Sequence, residues 1–127
     1  WTQYQLIFHE LNSKQSKLIY EDDKVEVYTI PLKHRIYTNG FLFKEKENER
    51  KLDINLVNEA NIDMAYFRKL KQGFDVVNED GVLISNEKVT KDPIPAKSYA
   101  YCSDTVYNED MVPIIEDATV LYHESTF

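Results

Sequence analysis

An α/β fold interrupted by a long excursion is predicted by three features of this 127-residue sequence. Its start carries period-two apolar runs, its middle is charged with helix-spaced apolar residues, and its end reads as strand, helix, strand. A hydrophobic content of 43% at this length suffices for one domain with a real core, and the chain is too short to suggest two.

In residues 1–11, Tyr4, Leu6 and Phe8 alternate with Gln3, Gln5 and Ile7, which predicts a strand. Residues 17–20 and 24–31 follow, with Glu21-Asp22-Asp23 as a polar turn between them. In the second run Val25, Val27 and Thr29 share one face and Glu26, Tyr28 and Ile30 the other. Residues 37–43, entered through Asn39-Gly40, add a further strand, so the opening third reads as an antiparallel meander.

Residues 44–51, KEKENERK, are a solvated charge run without an apolar anchor, and here the chain leaves the core. Apolar spacing predicts short helices over 52–60 and 64–72, the second stopped by Gly73. Residues 74–77 and 82–85 flank Asn78-Glu79-Asp80-Gly81 and form a predicted hairpin. Pro93 and Pro95 close the excursion. Residues 98–103 and 119–123 are predicted strands around a short helix at 110–117, with Pro113 near its start. Such a unit makes parallel neighbours, and it sets Ser103, Asp104 and Thr105 just beyond a strand's carboxyl end, where α/β proteins keep their sites.

Fifteen basic against 22 acidic residues give a formal charge of −7, which argues against a nonspecific nucleic-acid binder working by phosphate neutralisation. Any RNA contact must come from a local patch. The lone Cys102 cannot form an internal disulfide, and a reducing cytoplasm is the expected location. With no basic or histidine partner to activate it, Cys102 reads as packing. No apolar run approaches the roughly 20 residues of a membrane helix. Trp1 stands where a Met would start a natural chain, and no signal peptide follows, so the start looks cut.

Three polar clusters fall at strand ends: Pro31-Leu32-Lys33-His34, Tyr101-Cys102-Ser103-Asp104-Thr105 and His123-Glu124-Ser125-Thr126-Phe127. Singly, each reads as an ordinary cap, turn or exposed histidine. In this order, the stretches PLKHRIYTNGFLF (31–43), AYCSDT (100–105) and DATVLYHESTF (117–127) resemble ribonuclease Z of the metallo-β-lactamase superfamily. The resemblance covers essentially the whole chain. It implies a partial metallo-β-lactamase (αββα) core over 1–43 and 98–127, with an inserted, protruding arm at 44–97. The implied activity is that of a zinc-dependent endoribonuclease, which removes 3′ trailers from precursor tRNA by attack of metal-activated water on a phosphodiester.

By position in that resemblance, His34 matches the family's zinc-ligand histidine and Asp104 the aspartate bridging two zinc ions, residue types that suit zinc. Glu124 and Thr126 match the loop that supports the catalytic histidine, with Ser125 in place of the family's Ala. His123 belongs to that loop and is not carried over as a ligand. On the arm, Arg50, Lys51, Arg68, Lys69 and Lys71 offer positive charge to RNA, and Tyr66 and Phe67 offer stacking. The second basic cluster is equally the solvated face of an amphipathic helix.

The sequence also departs from the family. The upstream His-x-His-x-Asp-His motif, the later His-Ser-Thr segment and the last ligand histidine are missing, and residues 62–67 read IDMAYF where the arm carries a Gly-Pro signature. Zinc binding by this stretch alone is therefore expected to be weak or absent, cleavage absent, and the uncovered sheet paired in a homodimer. Two other readings stay open. One is a different two-metal hydrolase of the same superfamily, against which the 44–97 excursion argues; the other is a noncatalytic protein-interaction module whose clusters are caps.

Overall fold

The computed structural model describes residues 3–125. Three strands come first: β1 (Leu18–Glu21), β2 (Val25–Pro31) and β3 (Asn39–Glu45). The excursion then runs through β4 (Lys51–Leu52), α1 (Ile54–Glu59), a 3-10 turn at Met64–Tyr66 that continues into α2 (Phe67–Lys71), β5 (Val76–Val77), β6 (Leu83–Ile84), α3 (Asn86–Val89) and β7 (Thr90–Lys91). Afterwards come β8 (Ser98–Cys102), a 3-10 turn at Glu109–Met111 leading into α4 (Val112–Ile115), and β9 (Val120–His123). The content is mixed α/β, and among the described residues no helix is long and apolar enough to cross a membrane.

One five-stranded sheet has the order β1-β2-β3-β8-β9. The first three strands form the antiparallel meander, β3 pairs antiparallel with β8, and β8 pairs parallel with β9 through α4. Period two divides its residues between two faces. Ile30, Leu42, Ala100 and Cys102 share one of them and pack with Met111, Ile114, Ile115 and Ala118 from the crossover, forming the core. On the other, Thr29 is buried because Lys17 donates its N–H to the threonine Oγ1 and accepts the threonine N–H, each at 2.9 Å. Farther along this second face lie two stacked aromatic pairs, Phe43 on Tyr99 and Tyr101 on Tyr122, with ring centroids 6.2 and 5.0 Å apart.

Gly40 sits where β3 meets β8. A Cβ there would lie 2.3 Å from the Tyr101 carbonyl oxygen, so only glycine lets the two backbones come this close.

The strand predicted over 1–11 is not formed in its described part, residues 3–11. Tyr4, Leu6 and Ile7 are exposed and Phe8 is 87% exposed. An alternating pattern stabilises a strand only against a partner and a covered face, and this segment pairs with neither.

The chain divides into two compact units, residues 1–45 with 97–127 and residues 46–96, where length alone suggested one. The second unit has its own core of Val57, Ile62, Leu70, Val76 and Val89, with Leu52, Ala60, Phe67 and Ile84 against it. Asp53 caps α1 by accepting the Leu56 N–H at 3.3 Å. Gly73, at φ 91°, ends the turn after α2, a left-handed position that glycine adopts freely. Buried Asn86 donates to the carbonyls of Leu70 at 2.7 Å and Phe74 at 3.1 Å and accepts the Thr90 hydroxyl at 2.9 Å. The charge run is not wholly solvated: the Arg50 side chain is 23% exposed and its Lys51 neighbour opens β4, which pairs with β7.

Candidate functional site

Strand direction brings the three polar clusters to one place. Two antiparallel steps separate β2 from β8, and β9 is parallel to β8, so the carboxyl ends of β2, β8 and β9 lie along the same edge of the sheet. The loops that leave these ends carry His34, Asp104 and Glu124 respectively. Asn39, which opens β3, lies on this edge too.

Thr105 joins the loops. Its side chain is almost fully buried, its Oγ1 accepts the Lys33 N–H at 3.1 Å, and its hydroxyl donates to Val106 O at 2.8 Å. Val106 in turn donates its N–H to Lys33 O at 3.2 Å. From the third loop, Glu124 Oε1 accepts the Thr105 N–H at 2.6 Å while Glu124 donates its own N–H to Cys102 O at 3.1 Å. Each loop is thus fixed by bonds to another, which holds the polar side chains on a rigid edge rather than on free tethers.

Asp104, between the buried Cys102 and Thr105, has φ 57°. Aspartate is among the few side chains that tolerate this left-handed conformation. A non-glycine residue held there marks a backbone set by its surroundings. His34 is exposed in the loop between β2 and β3, with the Ile36 N–H directed at its Nδ1 at 3.5 Å. The His123 Nδ1 meets the Glu124 carbonyl. Thr126 lies outside the described residues. Burial pushes the Cys102 thiol above its ordinary pKa, which keeps it protonated and unreactive at neutral pH.

Among the described residues, no three or more His, Cys, Asp or Glu side chains converge as a metal cage. His34 and Asp104 therefore do not make up a zinc site by themselves, since such a site takes about four ligands. Sequence reasoning missed two residues of this edge. Thr105 stands out in the sequence only as part of a motif, although its hydroxyl spans 72 residues to reach Lys33. Asn39 holds a buried Oδ1 without a hydrogen-bond partner among the described residues, and it stands opposite Pro31, whose nitrogen has no hydrogen to give. Its signal is the Asn-Gly pair, which in the sequence marks no more than a strand entry.

In the second unit, Arg68, Lys69 and Lys71 are exposed on α2, and Lys69 Nζ stands 5.7 Å from the centroid of the Tyr66 ring. Arg50 is engaged internally: its Nε donates to Thr90 Oγ1 at 2.9 Å and its guanidinium pairs with Asp92 at 2.7 Å. Lys51 is exposed and faces Lys91 across the β4–β7 pair.

These features define an α/β protein whose polar loops gather at the carboxyl ends of three co-directional strands, with a separate folded unit carried between β3 and β8. No family model matches the chain. Curated relatives do. Proteins named ribonuclease Z are 40% identical to it in Bacteroides thetaiotaomicron, 40% in Porphyromonas gingivalis and 43% in Cytophaga hutchinsonii, each over 98% of this chain. The matched part is 39%, 41% and 40% of those proteins respectively. The chain is a homologue of ribonuclease Z over the segment it spans, about two-fifths of the length of the curated relatives it matches.

Proposed function

We propose that this chain is part of an endoribonuclease that removes 3′ trailers from precursor tRNA, and that it supplies one edge of the cutting centre. The observation that carries this reading is the alignment of 98% of this chain with part of proteins named ribonuclease Z, at 34 to 43% identity. The convergence of His34, Asp104 and Glu124 on one sheet edge supports it.

In this reading residues 1–43 with 98–127, which fall within the sheet unit, are part of a metallo-β-lactamase fold, and 44–97, whose residues 46–96 form the second unit, holds its RNA-gripping arm. His34 and Asp104 are metal ligands, and the remaining ligands come from polypeptide outside this chain. A two-zinc centre so completed would ionise water at neutral pH. This chain's own contribution is positional: Thr105 and Glu124 lock the backbones on either side of Asp104 and behind His34, and the resemblance gives Thr126 a supporting role. On the arm, Arg68, Lys69 and Lys71 offer free charge to phosphates, with Lys51 beside them in the same set and Arg50 bracing the fold. The protein acts in the cytoplasm as a homodimer.

The test compares this chain with the full-length gene product, measuring zinc per protein and cleavage of a precursor tRNA. The full-length protein is expected to hold two zincs and cut at the 3′ trailer, while this chain does neither. A full-length protein that binds no metal and leaves the trailer intact would end the enzyme reading.

A further inference from the structure

A cleft of about 770 Å³ opens in the sheet unit beside His34, between residues 14–16, the loop 31–38 and the start of the crossover at Asn108 and Asp110. Lys14, Lys33 and Arg35 line it and are exposed, with Asp110 as the one lining carboxylate. Among the described residues none of these three cations has a carboxylate within ion-pair distance. In a chain of formal charge −7, this is a local reversal of sign, and a concave wall concentrates such a field.

The walls are fixed. On one side Lys17 is bonded to Thr29 through both its N–H and its carbonyl, and the Tyr37 hydroxyl donates to Ser13 O at 2.9 Å, which pins the segment carrying Lys14. On the other, the Lys33 backbone is bonded to Thr105 and Val106, and the loop is closed by Leu32 N–H on Thr38 O at 3.1 Å. Tyr37 keeps an exposed ring in the cleft, 49% accessible, beside exposed Ile36. Cations at fixed positions next to an aromatic ring are what an unpaired polynucleotide strand needs: charge for its phosphates and a π-face for a base.

We infer that this cleft takes the single-stranded 3′ extension of the RNA, with Lys14, Lys33 and Arg35 on the phosphates and Tyr37 under a base. The inference rests on the endoribonuclease reading, and it assigns RNA contact to the sheet unit in addition to the arm. His34 lies on the cleft wall, so a strand held here runs past the proposed centre.

The test uses the full-length gene product and two RNAs, a tRNA with a single-stranded 3′ extension and the same tRNA without it, with binding read by anisotropy over a range of salt. K14Q/K33Q/R35Q should weaken binding of the extended RNA by about tenfold and lower the salt slope by about 2, three single-strand contacts at about 0.7 each. The unextended RNA should change less than about twofold. K33R/R35K, which keeps the charge, should bind as the parent does. Tyr37→Ala should weaken the extended RNA more than Tyr37→Phe, which keeps the ring and loses only the bond to Ser13 O. Unchanged affinity and slope in the triple variant, or equal loss for both RNAs, would overturn the inference. Cleavage by the parent, measured alongside, separates the two ideas: a parent that cuts, with variants that bind normally, removes the cleft alone, and a parent that binds neither RNA removes both.

Discussion

Glu124 accepts the Thr105 N–H at 2.6 Å, and this bond ties the loop after β9 to the loop after β8 beside Asp104. A charged acceptor on a backbone donor is worth about 1.5–3 kcal/mol. Glu124→Ala should lower stability of the full-length protein by that order in urea unfolding, and Glu124→Gln, which keeps an acceptor oxygen, should recover more than half. Equal losses for both variants would show that the bond does not hold the loops.

Gly40→Ala would place a methyl group 2.3 Å from the Tyr101 carbonyl oxygen. Backbone, unlike a side-chain tip, cannot swing aside, so β3 and β8 must separate. Overpacking of this kind costs about 1–3 kcal/mol. Hydrogen exchange should report faster opening at Leu42 and Ala100, which face each other across this pair, with the second unit unaffected.

Asn86 satisfies two carbonyls and a hydroxyl inside the second unit. Asn86→Ala removes the side-chain donor from both carbonyls in a buried place, while the Thr90 hydroxyl keeps the Asn86 backbone carbonyl, at a cost of about 1–3 kcal/mol. New protease sites within residues 46–96 at temperatures where the sheet unit resists cleavage are the expected result.

The Lys91 side chain beside Asp53, 3.2 Å away, and the capped Leu56 N–H hold the Asp53 carboxyl below the usual aspartate range. A proton therefore binds this group less readily in the folded state than in the unfolded one. The stability it contributes is present above the ordinary aspartate pKa, about 4, and is lost as pH falls through the lower folded value. Asp53→Asn should reduce the melting temperature at neutral pH, and the gap to the parent should close in acid. A gap that is constant from pH 7 to pH 2 would contradict this.

Arg68→Ala, Lys69→Ala and Lys71→Ala together should weaken tRNA binding by the full-length protein about tenfold near 0.1 M salt, with a shallower salt dependence. Affinity that is unchanged across salt concentrations would leave α2 as a solvated face and nothing more.

The sheet was legible where alternation met a partner. Val25, Val27 and Thr29 announce β2, and the turn residues on either side set its neighbours. The same alternation in Tyr4, Leu6 and Phe8 produced no strand, because the pattern records a capacity for pairing and not the pairing itself. β4, β7 and α3 were invisible for another reason: elements of two to four residues are too short to show a period. At the candidate site, the three clusters could be read as motifs at strand ends. Their joining through Thr105 could not, since it depends on Lys33 lying near a residue 72 positions away.

Where the second unit departs from the sheet, Glu45 donates its N–H to Lys97 O at 2.9 Å, and Lys97 donates its N–H to the Glu45 carboxylate at 2.9 Å. Departure and return are thus a single rung of the ladder, next to the Lys44 and Ser98 pair. A tight turn of a few residues could close that rung in place of 51 residues, 46 through 96. Seen in this way the second unit is a cassette in a hairpin: it can be lengthened, exchanged or excised over evolutionary time without stretching the frame, because whatever occupies the gap need only begin and finish at one point.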